Sequence, residues 1–396
     1  MNIWELIKKN KNYLLSFENK NIEKKYLSKI TEKLNKEKLV IISGFNWVWK
    51  ISYISQLIQK SNYKNSFLYF NKELDLENNI KNKNDLLSLI DSFWKENNLK
   101  IIILENIYHI ENIKSCISTL YQKWYKMIII WNSIKVGNKP EIEILEPRKT
   151  YFQYFWYNKE EQKKDLDRKN IIKNKATAII YKEIFDICSI KHFDLYNYSL
   201  IFLAKYNKLD SIRWLHKQIE KIISFSLNSF YEYIKYSLQA KILKQVFLYD
   251  FKKEKAIESK TKFYFSDIDF RNSLYNFELD ENILKENFLF LELEKRWFNI
   301  FSWKNWSYDF CFFAKKKVST WILEESLFID FCNTTNKQEF KKQLNKLLKI
   351  PNPKNTISKK YLILDSLEKL SIKKTKYENL EILNFNELLK KIYFFQ

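Results

Sequence analysis

The sequence predicts an α/β protein: a parallel sheet covered by helices on both faces, then a helical region, then a smaller α/β domain. Three observations predict it. Short, continuously apolar runs alternate with amphipathic runs between residues 39 and 145, as strands buried on both faces do. Residues 158–238 are almost wholly helical in pattern. Strands return after Leu284, with a break at Pro351-Asn-Pro353. A chain of 396 residues has room for two or three domains, expected at 1–150, 151–275 and 276–396.

The elements follow in order. Leu6, Ile7, Tyr13, Leu14 and Leu15 mark a first helix, and a second runs from about Ile22 to Asn35. Leu39–Ser43 reads as a buried strand and 50–61 as a helix. Ser66–Phe70, Leu99–Leu104 and Met127–Ile130 are further strands, with helices at Lys83–Asn97 and Ile113–Lys123 between them; Ile142–Leu145 is a fifth strand. Phe230–Ala240 is a helix before a hairpin of Ile242–Asp250 and Thr261–Ser266, joined by a charged turn at 251–260. Helix, helix and two-stranded wing form a winged-helix pattern. Phe230, Tyr231, Tyr233 and Tyr236 make that helix read as core more than as a DNA-reading face. Tyr361–Leu364 is a late strand, and a helix at Asn386–Ile392 closes the chain.

Between the first strand and the next helix stands Gly44-Phe45-Asn46-Trp47-Val48-Trp49-Lys50-Ile51-Ser52. This is the setting and spacing of a phosphate-binding P-loop, G-x-x-x-x-G-K-[ST], whose backbone N–H groups wrap phosphates. Gly44 and Lys50 match. Trp49 stands for the second glycine, and Ile51 for the Ser or Thr. A tryptophan there fills the space that phosphates need.

Composition bears on Trp49. The chain has 2 Gly and 12 Trp, where glycine normally supplies about 7% of residues and most positive-φ turns. The tryptophans occupy turn-like places. Trp124 lies between a helix and a strand, Trp131 ends a strand, Trp297 ends a helix, and Trp303 and Trp306 bracket Lys304-Asn305 as a hairpin turn. Lys, Asn, Ile, Phe and Tyr dominate, as in an AT-rich genome. The sequence therefore predicts that UGA codons, glycine in the source organism, are written as Trp; Trp4 and Trp94 fit this least. The alternative is a tryptophan-rich protein with an inactive loop. The codons at positions 49, 131 and 297 distinguish the two.

The formal net charge is +22, which invites a nucleic-acid reading. Yet Arg148, Arg168, Arg213, Arg271 and Arg296 are the only arginines, and the rest of the 69 Lys+Arg are lysines. Lysine accumulates with AT-rich codons, whereas base-specific contacts lean on arginine. Cys116, Cys188, Cys311 and Cys332 are widely spaced, and His109, His192 and His216 have no metal-ligand spacing. They fit buried thiols in a reducing cytoplasm. The polar N-terminus does not read as a signal peptide, and no apolar run approaches the roughly 18 residues of a membrane span.

Two further segments carry chemistry. Lys100-Ile-Ile-Ile-Leu-Glu105 is an apolar strand ending in an acid, the pattern of a Walker B segment whose Glu orients the attacking water. Leu104 takes the place of the Asp that organises Mg²⁺. Ile130-Trp-Asn-Ser133 puts Asn132 and Ser133 after a strand, where a sensor for the γ-phosphate or the water is expected; an ordinary turn is the alternative. Arg148 follows the last strand of this domain and reads either as a surface residue or as an arginine finger in trans.

The order of these motifs, then the helical and winged-helix regions, then Phe263–Asn272, Glu286–Trp297 and Ser307–Phe310, resembles prokaryotic AAA-type ATPases that carry a C-terminal domain of unknown function 4143. The resemblance spans nearly the whole chain. It implies ATP as ligand, a helical lid, and a last domain with a restriction-endonuclease-like fold. A nuclease centre of that kind needs two acids and a lysine on adjacent strands. The matching positions are Glu286, Asp309 and Asp330, and Cys332 replaces the lysine, so the domain is expected to be inactive. Recoding repairs neither Ile51 nor Leu104, and Ser52 lies about 100° further around the helix. The sequence thus predicts a nucleotide-binding switch with slow or lost hydrolysis, with Mg²⁺ held only by phosphates and water. Its alternatives are a non-enzymatic scaffold contacting protein or a second copy, and a DNA-binding module.

Overall fold

The computed structural model describes residues 3–17, 24–43, 50–97, 99–107, 110–123, 125–131, 141–143, 174, 177, 190–274, 280–305, 308–317, 324–332, 336–350, 356–364 and 379–394. The chain divides into two compact units, Met1–Lys149 with Gln239–Lys241, and Thr150–Leu238 with Ile242–Gln396.

The first unit begins with α1 (Ile3–Leu15) and α2 (Lys24–Lys36), then β1 (Leu39–Ser43), α3 (Lys50–Lys60), β2 (Phe67–Asn71), α4 (Lys83–Asn97), β3 (Ile101–Glu105), α5 (Ile113–Gln122), β4 (Lys126–Trp131) and β5 (Glu141–Glu143). The strands form one sheet in the order β2-β3-β4-β1-β5, and every pairing in it is parallel. Its strands are apolar at nearly every position because both faces are covered. Ile41, Phe70, Leu104 and Ile129 share a core with Leu6 of α1, Leu89 of α4 and Leu120 of α5. The alternate residues Val40, Ile42, Ile101, Ile103, Ile128 and Ile130 are buried as well. This is the α/β parallel sheet that the sequence predicts.

The second unit adds α6 (Phe193–Lys205), α7 (Ile212–Glu220), α8 (Leu227–Gln239), β6 (Leu243–Asp250), β7 (Lys255–Phe265), α9 (Ile268–Leu274) and α10 (Glu281–Lys295). β8 (Asn299–Asn305), β9 (Tyr308–Lys317), β10 (Glu324–Cys332), α11 (Lys337–Leu348), β11 (Thr356–Leu364), β12 (Leu380–Leu383) and α12 (Phe385–Phe394) follow. Its seven-stranded sheet runs β12-β11-β10-β9-β8-β6-β7. The hairpin therefore belongs to the same sheet as the C-terminal strands, joined at Leu248 and Ser302. The boundary expected at 275 falls inside this unit.

Three sequence expectations change. The turn between β6 and β7 covers only Phe251–Glu254, because Lys255–Ile257 extend β7 alongside Leu248–Asp250, and a bulge after Phe247 absorbs the extra residues. Trp303 is in no turn: β8 runs on to Asn305, and the Trp303 ring is buried edge-on against Phe251. The α8 aromatics divide, since Phe230 and Tyr233 are buried while Tyr231 is 41% exposed. Of the helical region expected at 158–238, residues 158–189 apart from 174 and 177 lie outside the described residues, as does the break at Pro351–Pro353.

Candidate functional site

Because β1, β4 and β3 are adjacent and parallel, their carboxyl ends lie at one edge of the sheet. Ser43, Trp131 and Glu105 are those ends; in the sequence Gly44–Trp49 follows the first and Asn132 and Ser133 the second. Ligands of parallel sheets bind at this carboxyl edge. The described strand ends Ser43 and Trp131, 88 residues apart in the sequence, thus lie at the same edge as Glu105. Gly44–Trp49, Asn132, Ser133 and Arg148 lie outside the described residues.

Lys50 is the first residue of α3 and only 2% exposed. A helix start presents unpaired N–H groups and positive potential, which suits a phosphate. Ile51 is half-buried and Ser52 buried. Leu104 sits in the apolar core with α1, α4 and α5 and faces away from Glu105. No hydroxyl at 51 and no carboxylate at 104 is present to organise Mg²⁺, so the residues do not fit a protein-held metal. Among the described residues no group of three His, Cys, Asp or Glu side chains could hold a metal ion.

Glu105 is 4% exposed and held by residues that sequence reasoning missed. Tyr69 Oη donates to its Oε2, and Asn71 Nδ2 donates to the same oxygen at 3.1 Å. Both come from β2, whose last residue, Asn71, lies in register with Glu105. Asn106 Nδ2 donates to Asn71 Oδ1 at 3.3 Å, and the Asn71 N–H donates to Asn10 Oδ1 of α1 at 2.7 Å. The Tyr13 ring of α1 stacks on Tyr69, with centroids 6.4 Å apart. The available signal was a polar residue ending the strand Phe67–Phe70, but only the register tells that it meets Glu105.

Burial pushes the Glu105 carboxyl up to about 7; the Tyr69 hydrogen bond and the Lys50 charge oppose that rise, and Glu73 adds to it. The carboxyl is therefore poised between acid and base near neutral pH. Tyr13 is pushed up to about 12 by burial and then by Glu105 and Glu73, so it stays a neutral phenol. The Lys50 charge acts on Glu105, and β4 lies between β1, the strand before Lys50, and β3 in the sheet.

The positions matched to a nuclease lie in the second unit. Glu286 is on α10, and Asp330 and Cys332 are on β10, both buried. Asp309 falls in β9, but its side chain is outside the described residues.

No protein-family model matches the sequence, and no curated protein does. The fold is similar to that of the Walker-type ATPase PABY2304 of Pyrococcus abyssi, at 10% identity and a TM-score of 0.44, over 63% of this chain and 95% of that one. It is also similar to the Orc1 protein of Aeropyrum pernix, solved in complex with DNA, at 11% identity and a TM-score of 0.26, over 64% and 92%. Likeness this distant fixes neither ligand nor activity. Among the described residues no helix is long and apolar enough to cross a membrane.

Proposed function

We propose that this chain is an AAA-type nucleotide-binding protein, a switch that binds ATP on its first unit and hydrolyses it slowly or not at all. One observation carries the reading: Lys50 opens α3 directly after the P-loop segment, and Glu105 ends a strand at the same sheet edge, close enough for their charges to interact. Gly44–Ser52 would cradle the phosphates, with Lys50 on the β- and γ-phosphates. Asn132 and Ser133 would face the γ-phosphate from β4. Mg²⁺ would arrive with the nucleotide, held by phosphates and water. Weak catalysis follows from Ile51 and Leu104, and from a Glu105 already engaged by Tyr69 and Asn71.

The reading includes glycine at position 49 in the native protein. Supporting it, Trp297 takes φ 67° at the end of α10, the left-handed conformation that glycine adopts freely. Trp303 and Trp94 lend no such support, one buried in a strand and the other within α4. The test is titration of ATP onto protein carrying Trp49→Gly. Micromolar binding that falls at least about tenfold with Lys50→Ala, an effect of about 1.4 kcal/mol, is the expected result. Absence of binding with glycine at 49 would leave the scaffold reading in its place.

A protein partner or a second copy is the proposed target of the switch. Duplex DNA ranks below, although the order α6, α7, α8 and hairpin is that of a winged helix. The outward face of α8 offers Asn228, Tyr231, Glu232, Lys235 and Gln239, a nearly neutral set and a poor match for phosphates.

A further inference from the structure

The family resemblance read from the sequence implies a divalent metal among Glu286, Asp309 and Asp330, and the described side chains of Glu286 and Asp330 do not fit one. Both Glu286 oxygens are already engaged. Oε1 accepts from Lys262 Nζ, and from Tyr264 Oη at 2.5 Å. Oε2 accepts from Asn207 Nδ2 at 2.6 Å. Asp330 Oδ2 accepts from Gln343 Nε2 at 2.7 Å, and Oδ1 from the Cys311 N–H at 3.4 Å. Metal ligation needs carboxylate lone pairs turned to a common point, and here they turn to N–H and O–H donors. An ammonium in the same place repels a second cation. Lys262 comes from β7 of the hairpin, not from the strand of Cys332, so the sequence pattern along β10 could not reveal it.

We propose that Lys262 is the permanent cation of this centre, standing where a metal ion would sit, and that the cluster serves as a clasp. It ties three pieces of the second unit together: the hairpin through Lys262 and Tyr264, the turn after α6 through Asn207, and α10 through Glu286. Two neighbouring contacts act in the same sense. Asp210 and Thr261 exchange backbone hydrogen bonds of 2.9 and 3.1 Å, beside Lys262. The fully buried Arg271 donates from Nε and Nη2 to the Ala204 carbonyl at the end of α6, at 3.0 and 2.7 Å. The end of α6 is thus fixed to β7, α9 and α10. The helix–hairpin part and the C-terminal strands consequently move as one body, and the centre binds no Mg²⁺ or Mn²⁺.

The clasp is independent of any nucleotide site and is tested on the full chain without nucleotide. In a Mn²⁺ titration followed by electron paramagnetic resonance, wild type and Glu286→Gln are expected to be indistinguishable. Lys262→Ala strands a buried carboxylate and should lower the thermal midpoint by on the order of 10 °C, and added Mn²⁺ should restore part of that loss. The double variant Lys262→Met/Glu286→Gln removes both charges and should be more stable than Lys262→Ala. Mn²⁺ binding by wild type that disappears in Glu286→Gln would overturn the proposal. So would a Lys262→Ala midpoint equal to that of wild type. Should Lys262→Ala fail to fold, the comparison of wild type with Glu286→Gln still decides.

Discussion

A carboxylate packed among apolar strands resists ionisation, and Glu105 carries that cost. Its folded-state value of about 7 lies above the ordinary 4.5, so the folded protein holds this proton more tightly than the unfolded chain. Stability is therefore undiminished below pH ~4.5 and falls as pH rises towards about 7. Glu105→Gln should relieve a penalty of up to about 3 kcal/mol at pH 8 and make no difference near pH 4, as read by urea unfolding at both pH values. A flat difference across that range would contradict the buried, shifted carboxyl. Glu105 itself was legible, since an acid ends a run of isoleucines. Tyr69 and Asn71 were not, because a tyrosine and an asparagine on another strand have no marked spacing from it. They meet Glu105 only once β2 and β3 pair in register.

Element ends are where this glycine-poor chain shows strain. Among the described residues Asn78, Asn106, Asn112 and Asn379 take positive φ, as asparagine tolerates. Trp297 does so at 67° with a bulky side chain. The helix α10 ends there in a Schellman arrangement: the Phe298 N–H donates to the Leu293 carbonyl at 3.2 Å and the Trp297 N–H to Glu294 at 2.9 Å. The left-handed conformation costs a non-glycine residue about 1–2 kcal/mol. Trp297→Gly should stabilise the protein by about 1 kcal/mol, read as a higher denaturant midpoint at unchanged slope. A loss of stability would mean that the ring makes packing contacts that outweigh the strain.

At the scale of the whole molecule, the net charge of +22 attracts polyanions without a dedicated site. Weak association with duplex DNA is expected at low salt, without sequence preference, and largely lost between about 50 and 200 mM salt. Lys235→Glu on α8 should weaken it no more than Lys217→Glu on α7, as measured by fluorescence anisotropy. A much larger effect at Lys235 would restore a DNA-reading role for α8. By itself the sequence determined the alternation of strands and helices, the parallel sheet, the place of Lys50 and Glu105, and the apolar residues Ile51 and Leu104 beside them. Each of these rests on local periodicity or on spacing within one segment, which the chain carries wherever it folds. Only the tertiary structure decided that Tyr69 and Asn71 hold Glu105, that the hairpin joins the C-terminal sheet, and that Lys262 occupies Glu286. Those contacts join residues distant in sequence, and sheet register and side-chain burial bring them together rather than any local pattern.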